Sequence, residues 1–338
     1  MKTRIAVILL VATILMVAFA TLEACAPRRD VTVPDLTRTL HLGHPASAGT
    51  AFDVLANRIK EYVETRSNGR YTVLVYTDAT LGHQDMMVEA MIAGTVDMAL
   101  VNSAVISNYA GDLAVLDLPF LFSDWDEVEK FLHSDIMGEF YAITDAAGVA
   151  TLALMPRGFR HVINNRGPIY DPSDFEDLSI RVLNTQVFID TFTALGAKPE
   201  GIPWEDTYAA IQDGLVEGKE NTIVTINDYG FYRIQKYLSL TGHFFSFAAV
   251  MASPITMDSI PADDQTLIRQ AAFDAAMSVG AEQLADEIDA LENLRRNGML
   301  INEITDKQPF IDMMEPVYES FFRTHDSRYY ELIISAIR

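Results

Sequence analysis

Cysteine is nearly absent from the chain: Cys25 is the only one in 338 residues, so no disulfide can form within the molecule. Basic residues are also scarce, because 25 Lys and Arg stand against 47 Asp and Glu, which gives a formal net charge of −22. A charge of this sign and size repels nucleic acids and anionic membranes. We therefore expect no nucleic-acid partner.

The signatures of common enzymes are missing as well. No G-x-G-x-x-G, P-loop, H-E-x-x-H or G-x-S-x-G motif occurs in the sequence. His41 and His44 lie three residues apart at the end of a predicted strand, where they cannot share a helix face. The acidic residues are numerous but scattered, so no glycosidase-like carboxylate pair can be picked out. We expect no metal, no cofactor and no enzymatic activity.

The first residues have the pattern of an export signal. Lys2 and Arg4 precede residues 5–20, which carry no charge. This run of sixteen residues is shorter than the roughly 20 apolar residues that a membrane-spanning helix needs. Residues 1–24 are therefore predicted to be a signal peptide.

Cys25 follows Leu22, Glu23 and Ala24, which is similar to the lipobox of bacterial lipoproteins. A diacylated Cys25 would begin the mature chain, and residues 25–36 would form a lipidated N-terminus and tether. Glu23 departs from the usual small or apolar residue, so an ordinary secretory signal with an incidental cysteine is the alternative. Both versions predict a protein exported to the periplasm.

The remaining residues alternate between strand and helix patterns. About 310 residues exceed a typical single domain, which favours two lobes that share a cleft. A helix is predicted to run from Pro261 to Asn297, long enough to brace two lobes. The predicted strands are 37–43, 71–76, 96–101, 149–155, 161–164, 179–183, 223–226 and 246–251. Shorter predicted helices are 51–63, 84–93, 185–195 and 204–216, the last two ending at Gly196 and Gly218.

Several sequence blocks occur in a characteristic order. G-F-R-H, S-I-R-V-L-N, A-L-G-A-K-P and Y-A-A-I-Q-D-G-L-V-E-G-K-E-N lie between residues 158 and 221. G-T-V-D-M-A, L-D-L-P-F-L-F and Q-K-Y-L-S-L-T-G-H lie outside this segment. In this order, the blocks resemble the receptors of tripartite ATP-independent periplasmic (TRAP) transporters of the dicarboxylate-binding, DctP-like family.

The resemblance implies an α/β, two-lobed periplasmic-binding-protein-like fold. Each lobe would be a mixed sheet flanked by helices, with a long helix bracing both lobes. Lobe one would comprise residues 37–157 plus about 246–286, and lobe two about 158–245 plus 287–338. We expect a monomer that binds a small carboxylate between the lobes and delivers it to membrane permease subunits, touching the membrane only through its lipid anchor.

The resemblance assigns the ligand carboxylate to Arg181, because a guanidinium offers a planar pair of donors that a lysine cannot reproduce. Without the family pattern, an ion pair of Arg181 with Asp177 or Glu176 would be the expected alternative. Arg160 matches a second arginine of the cleft, and its alternative role is to brace the lobes. Two guanidinium groups would attract an anion past an acidic exterior.

Five further residues are candidate ligand contacts. Asn184 could cap the next helix or donate to the ligand. Trp204 replaces the family's usual phenylalanine, and it could pack on the ligand or belong to the core. Asn221 matches the family's asparagine, although Lys219 precedes it in place of glutamine. Asn102 and His44 lie at strand ends, where open sheets bind ligands.

The ligand class stays open among a uronate or related sugar acid, a C4-dicarboxylate and a simpler monocarboxylate. Two other functions are also compatible with the sequence. One is an exported lyase or hydrolase of sugar acids, and the other is a receptor that feeds a signalling sensor. The residues for capture would be the same in the sensor as in the transport receptor.

Overall fold

A parallel β-α-β-α-β unit opens the part of the chain that the computed structural model describes, residues 37–338. Its first helix buries Phe52, Leu55 and Ile59, whose spacing places them on one face. The succession of strands and helices is the one that the sequence pattern predicts, and the three strands, β1 (Arg38–Gly43), β2 (Tyr71–Tyr76) and β3 (Met98–Asn102), pair in the order β2-β1-β3. The predicted signal peptide, Cys25 and the tether lie outside the described residues.

Nine strands within residues 37–338 join in one sheet. They are β1 (Arg38–Gly43), β2 (Tyr71–Tyr76), β3 (Met98–Asn102), β4 (Ala150–Asn164), β5 (Ser179–Val182), β6 (Lys198–Gly201), β7 (Gly218–Thr222), β8 (Tyr237–Ala252) and β9 (Leu300–Glu303). The strand order is β2-β1-β3-β8-β4-β7-β5-β6, and β9 pairs with β8. One half of the sheet therefore contains β1 to β3 and the other β5 to β7.

The two halves are connected by β4 and β8, which are 15 and 16 residues long and antiparallel to each other. Their pairing shifts register at three places, including the step from Pro156 to Gly158. Such irregularities bend a strand without ending it. The predicted strands 149–155 and 161–164 are therefore a single strand, because the chain absorbs the proline and glycine as a bulge.

The helices cover both faces of this sheet. They are α1 (Ala51–Arg66), α2 (Gln84–Ile92), α3 (Ser103–Ile106), α4 (Trp125–Leu132), α5 (Met137–Ala146), α6 (Gln186–Ala194), α7 (Thr207–Gln212), α8 (Ile223–Asp228), α9 (Pro254–Asp258), α10 (Ala262–Arg296), α11 (Gln308–Asp312), α12 (Glu315–Phe322) and α13 (Ser327–Ile337). Along β3, Met98 and Leu100 join one core cluster and Ala99 and Val101 another. Successive strand residues point to opposite faces, so the sheet is buried on both sides.

The long helix α10 has the bounds that the sequence predicts, and it braces both halves. It packs against α1 and β4 on one side and against α8 in the other half. Gly280 allows the closest approach, since a Cβ there would lie 2.6 Å from the ring of Pro156. None of the helices in residues 37–338 is both long and apolar enough to cross a membrane.

Two local predictions were wrong. Residues 223–226 were predicted as a strand but begin helix α8, because a short apolar run fits a buried helix as well as a strand. The predicted helix 204–216 is a 3₁₀ turn, Trp204–Asp206, followed by the short α7. It is terminated at Gly214, whose φ is +75°, whereas Gly218 begins β7.

The C-terminal helices contact both halves of the sheet. Helix α12 packs against α6, and α13 packs against α4. Arg328 at the start of α13 forms an ion pair of 2.8 Å with Glu139, and Lys130 Nζ donates to the carbonyl of Ile337 at 3.2 Å. The predicted lobe boundaries stay a prediction.

Candidate ligand-binding site

A small cavity lies where the ends of β3, β5 and β7 meet the loop after β1 and the middle of β4. The space in it for water-sized molecules is about 50 Å³. Strands that leave and re-enter the two halves of an open sheet meet at this kind of position, which is where such folds bind ligands. The cavity brings together five of the predicted site residues: Arg181, Arg160, Asn221, Asn102 and Trp204.

Arg181, on β5, has an incompletely paired guanidinium. Its side chain is 1% exposed, and Nε donates to the Ile202 carbonyl at 2.8 Å. Nη1 and Nη2 are buried and have no hydrogen-bond partner within residues 37–338. The alternative ion pair is not formed, since Asp177 pairs with Lys198 at 2.7 Å. Burial lowers the pKa of Arg181 to about 10, which still leaves it charged at neutral pH.

Arg160, on β4, is held by a buried carboxylate. Its Nη2 donates to Glu220 Oε1 at 2.7 Å, and its Nε donates to the other carboxylate oxygen. Burial alone would raise the pKa of Glu220, but the ion pair with Arg160 holds it below its ordinary value. The expected pair of free guanidinium groups is thus reduced to one, because Glu220 neutralises Arg160.

Two more titratable groups surround this ion pair. His243 Nε2 lies 3.5 Å from a Glu220 carboxylate oxygen. Asp117 is 4% exposed, and burial raises its pKa to about 8, although the positive charge of Arg160 opposes the rise. These groups form a buried polar layer behind the cavity that orients Arg160.

The two asparagines present amide groups from opposite halves of the sheet. Asn102 Oδ1 accepts from the Ala104 amide at 3.1 Å and caps α3, while its Nδ2 donates to Ser246 Oγ at 3.3 Å. Arg160 Nη1 donates to the same hydroxyl at 3.3 Å. Asn221 Oδ1 accepts from the amide of the next residue at 2.8 Å, and its Nδ2 makes no hydrogen bond within residues 37–338.

Trp204 lines the cavity and also packs in an aromatic cluster. Its ring lies edge-on to Tyr229, with centroids 4.6 Å apart. Lys219 Nζ lies 4.6 Å from the Trp204 ring and 3.9 Å from the Phe231 ring, a cation–π arrangement. Burial, together with the charge of Arg181, lowers the pKa of Lys219 well below its ordinary value.

His44 and Asn184 lie outside this cavity. His44, the first residue of the loop after β1, is fully buried, with Nε2 3.6 Å from an Asp53 carboxylate oxygen. Asn184 lies next to Gly201 and lines a neighbouring cavity instead. It does not cap α6, whose N-terminal cap is Thr185 without a side-chain hydrogen bond. Their roles as ligand contacts stay predictions.

The comparison with protein families decides the affiliation of the chain. The model of DctP, bacterial extracellular solute-binding protein, family 7, matches residues 42–325. The chain belongs to the DctP family. A solute-binding protein of Verminephrobacter eiseniae (strain EF01-2) is 31% identical to it over 288 residues, which cover 85% of each chain.

Solved structures agree with this DctP-family assignment. A TRAP periplasmic solute-binding protein of Polaromonas sp. JS666, bound to D-erythronate, is similar with a TM-score of 0.83 and 28% identity, covering 89% of this chain and 98% of that one. A second TRAP protein, from Bordetella, has density interpreted as pantoate; its TM-score is 0.84 at 28% identity, over 88% and 98% of the two chains. The predicted two-lobed receptor fold is confirmed.

Membership of the DctP family makes the chain a solute-binding protein of the TRAP type, and this family is one of periplasmic receptors rather than enzymes. Three titratable residues of the cavity were not predicted from the sequence: Arg157, Asp228 and Tyr229. Arg157 lies three residues before Arg160 in the same strand, so two arginines in one block were an available signal. Asp228 ends helix α8, and this helix was not predicted because residues 223–226 were assigned to a strand.

Proposed function

We propose that the protein captures a small organic acid in this cavity, with the ligand carboxylate on Arg181, and delivers it to TRAP permease subunits. The observation that carries the proposal is the pair of buried Arg181 nitrogens for which residues 37–338 supply no hydrogen-bond partner. A buried cation is costly unless an anion with suitable hydrogen bonds accompanies it. A carboxylate supplies two acceptors in the plane of the guanidinium, so binding pairs both nitrogens at once.

The other cavity residues would orient the ligand. Arg160 is fixed by Glu220 and presents a rigid donor surface, and Asn102 and Asn221 approach from opposite halves. A ligand that contacts both halves favours the closed arrangement over an open one. The bend in β4 and β8 is the proposed hinge, because the chain passes between the halves there.

The proposed ligands are a uronate or related sugar acid and a C4-dicarboxylate. D-Erythronate and pantoate, the acids of the two similar TRAP proteins, support an organic acid with hydroxyl groups. The Trp204 ring supports a ligand with an apolar face, such as a sugar ring. No covalent step is required, and we propose that the protein has no catalytic activity.

The proposed location is the periplasm, with lipidated Cys25 as a membrane anchor and the protein as a monomer. The support for the anchor is the sequence around Cys25, which lies outside the described residues. Delivery to a signalling sensor instead of a permease would use the same capture site. Genes for small and large permease subunits beside this gene would favour transport.

A thermal-shift screen tests the proposal. The protein without its signal peptide is measured against dicarboxylates, uronates, aldonates, keto acids and amino acids, since a ligand that binds only the native state raises the melting temperature. We expect a shift with one class of acid, lost in Arg181→Ala and retained in Arg295→Ala, which changes an exposed arginine of α10. The proposed function would be contradicted if no acid raised the melting temperature, or if the same shift were observed in Arg181→Ala.

A further inference from the structure

A second incompletely paired arginine lies in the same cavity. Arg157, on β4, is 9% exposed, and its Nη2 donates to Thr225 Oγ1 at 2.8 Å. Its guanidinium carbon lies 4.8 Å from the centroid of the Phe52 ring, which fixes one face. Arg157 Nε is buried without a hydrogen-bond partner in the described part of the chain. Like Arg181, Arg157 therefore has a donor available to a ligand.

The two arginines have different partners around the cavity, Thr225 for Arg157 and the Ile202 carbonyl for Arg181. Burial lowers the pKa of Arg157 and of Arg181 to about 10, and the positive charge of Arg160 contributes to the decrease in both. Tyr229 and Asp228 oppose the decrease in pKa at Arg157, whereas Glu220 and Glu205 oppose it at Arg181. Arg157 and Arg181 thus have separate acidic neighbours.

Asp228 supplies an acceptor at the Arg157 end. It ends helix α8 and lies exposed at the rim of the cavity. Its Oδ1 accepts from Asn227 Nδ2 at 3.3 Å. No ion pair within 4.0 Å joins Asp228 to Arg157 among the described residues, although both line the cavity. The cavity is thus lined by a donor residue, Arg157, and an acceptor residue, Asp228, that do not pair with each other.

The charges that line the cavity leave a net excess of about one positive charge. Arg160 and Glu220 cancel in their ion pair, and Arg157 is offset by Asp228. Arg181 has no carboxylate partner within residues 37–338, and Lys219 does not line the cavity. One ligand carboxylate balances this excess, while a second carboxylate would approach the negative charge of Asp228.

We infer that the preferred ligand is a hydroxylated monocarboxylic acid whose carboxylate binds Arg181 and whose hydroxyl groups lie between Arg157 and Asp228. A hydroxyl group is both donor and acceptor, so it accepts from Arg157 Nε and donates to the Asp228 carboxylate, which a second carboxylate cannot do. The inference rests on the proposed acid-binding function and narrows its ligand class. It makes Arg157 and Asp228 the residues that discriminate against dicarboxylates.

Calorimetric titration of the protein without its signal peptide with acids of matched length tests the inference. The four-carbon set is D-erythronate, succinate and butanoate, and a six-carbon aldonate, dicarboxylate and simple fatty acid form the second set. We expect the hydroxylated acid of at least one set to bind about 10- to 100-fold more tightly than both others. The simple fatty acid leaves the buried Arg157 Nε without an acceptor, and the second carboxylate of the dicarboxylate faces the negative charge of Asp228.

Substitutions of Asp228 and Arg157 test the contribution of each residue to the ligand preference. Asp228→Asn removes the negative charge at an exposed position and should narrow the preference for the hydroxylated acid over the dicarboxylate by about tenfold. Asp289→Asn, on the exposed surface of α10 and outside the cavity, is the matched control and should leave the ratio unchanged. Arg157→Gln should reduce the affinity for the hydroxylated acid more than the affinity for the simple fatty acid.

Each outcome has a separate meaning. Suppose that a dicarboxylate binds more tightly than the hydroxylated acid and that Arg181→Ala abolishes the binding of both acids. This result would overturn the inference but would still support the proposed acid-binding function. An unchanged preference in Asp228→Asn would also overturn it. The absence of binding by every acid would instead refute the proposed function itself.

Discussion

Replacing Arg181 with methionine should stabilise the ligand-free protein and abolish ligand binding at the same time. The pKa of Arg181 falls from 12.5 to about 10 through burial. A decrease of about 2.5 pKa units corresponds to about 3 kcal/mol against burying the charge. The hydrogen bond from Nε to the Ile202 carbonyl returns about 1 kcal/mol, so removing the guanidinium should raise the free energy of unfolding by about 2 kcal/mol.

The two effects have opposite signs in two assays. Differential scanning calorimetry of protein that has been unfolded and refolded to remove bound ligand should show a melting temperature about 4 °C higher in Arg181→Met. Calorimetric titration should show a loss of about 2–5 kcal/mol of binding free energy for the acid found in the screen. Arg295→Met, at an exposed position, should change neither quantity.

One combination of results would refute this reasoning. If Arg181 were a structural residue, Arg181→Met would lower the melting temperature of the ligand-free protein by several degrees. Retained affinity in the same variant would show that the unpaired nitrogens do not meet the ligand.

Three further predictions concern stability. Glu220→Gln should cost about 3–5 kcal/mol in denaturant unfolding, because buried Arg160 loses its counter-charge; a loss below 1 kcal/mol would argue against the buried pair. Asp117 has a folded-state pKa of about 8, above its unfolded value of 3.8, so its contribution to stability is present at pH 4 and is lost as the pH rises towards 8. Asp117→Asn should therefore raise the melting temperature at pH 8 more than at pH 4, and an equal shift at both would contradict the assignment. Gly280→Ala forces a Cβ against a proline ring and should cost about 1–3 kcal/mol, whereas the control Gly138→Ala, with open space around it, should be neutral or stabilising.

The elements that could be predicted from sequence are those whose pattern spans many residues. Helix α10 has the acidic first turn and basic last turn that a long helix favours, and its bounds match the prediction. Residues 223–226 are too few to show a period, so their helix could not be distinguished from a strand. Strand β4 was divided in two, because Pro156 and Gly158 normally interrupt a strand and here form a bulge.

The residues of the candidate site also differ in whether the sequence could predict their roles. Arg181 could be identified because one strand arginine in a family block is a local signal, and its burial in the cavity agrees with the assignment. The pairing of Arg160 with Glu220 could not be read from sequence, since the two lie 60 positions apart and meet only through the pairing of β4 with β7. Arg157 and Asp228 are also far apart in the sequence, and only the folded chain places both of them in the lining of one cavity.

The two long strands that join the halves have a consequence for repeated use of the receptor. A joint made from a paired ribbon of 15 and 16 residues can flex while its ladder of hydrogen bonds stays intact. If the proposed hinge lies here, opening and closing would break no hydrogen bonds of this ladder, and the residues would keep the register that β4 and β8 have in this structure. A hinge of this kind would suit a carrier that must release its ligand as readily as it binds it.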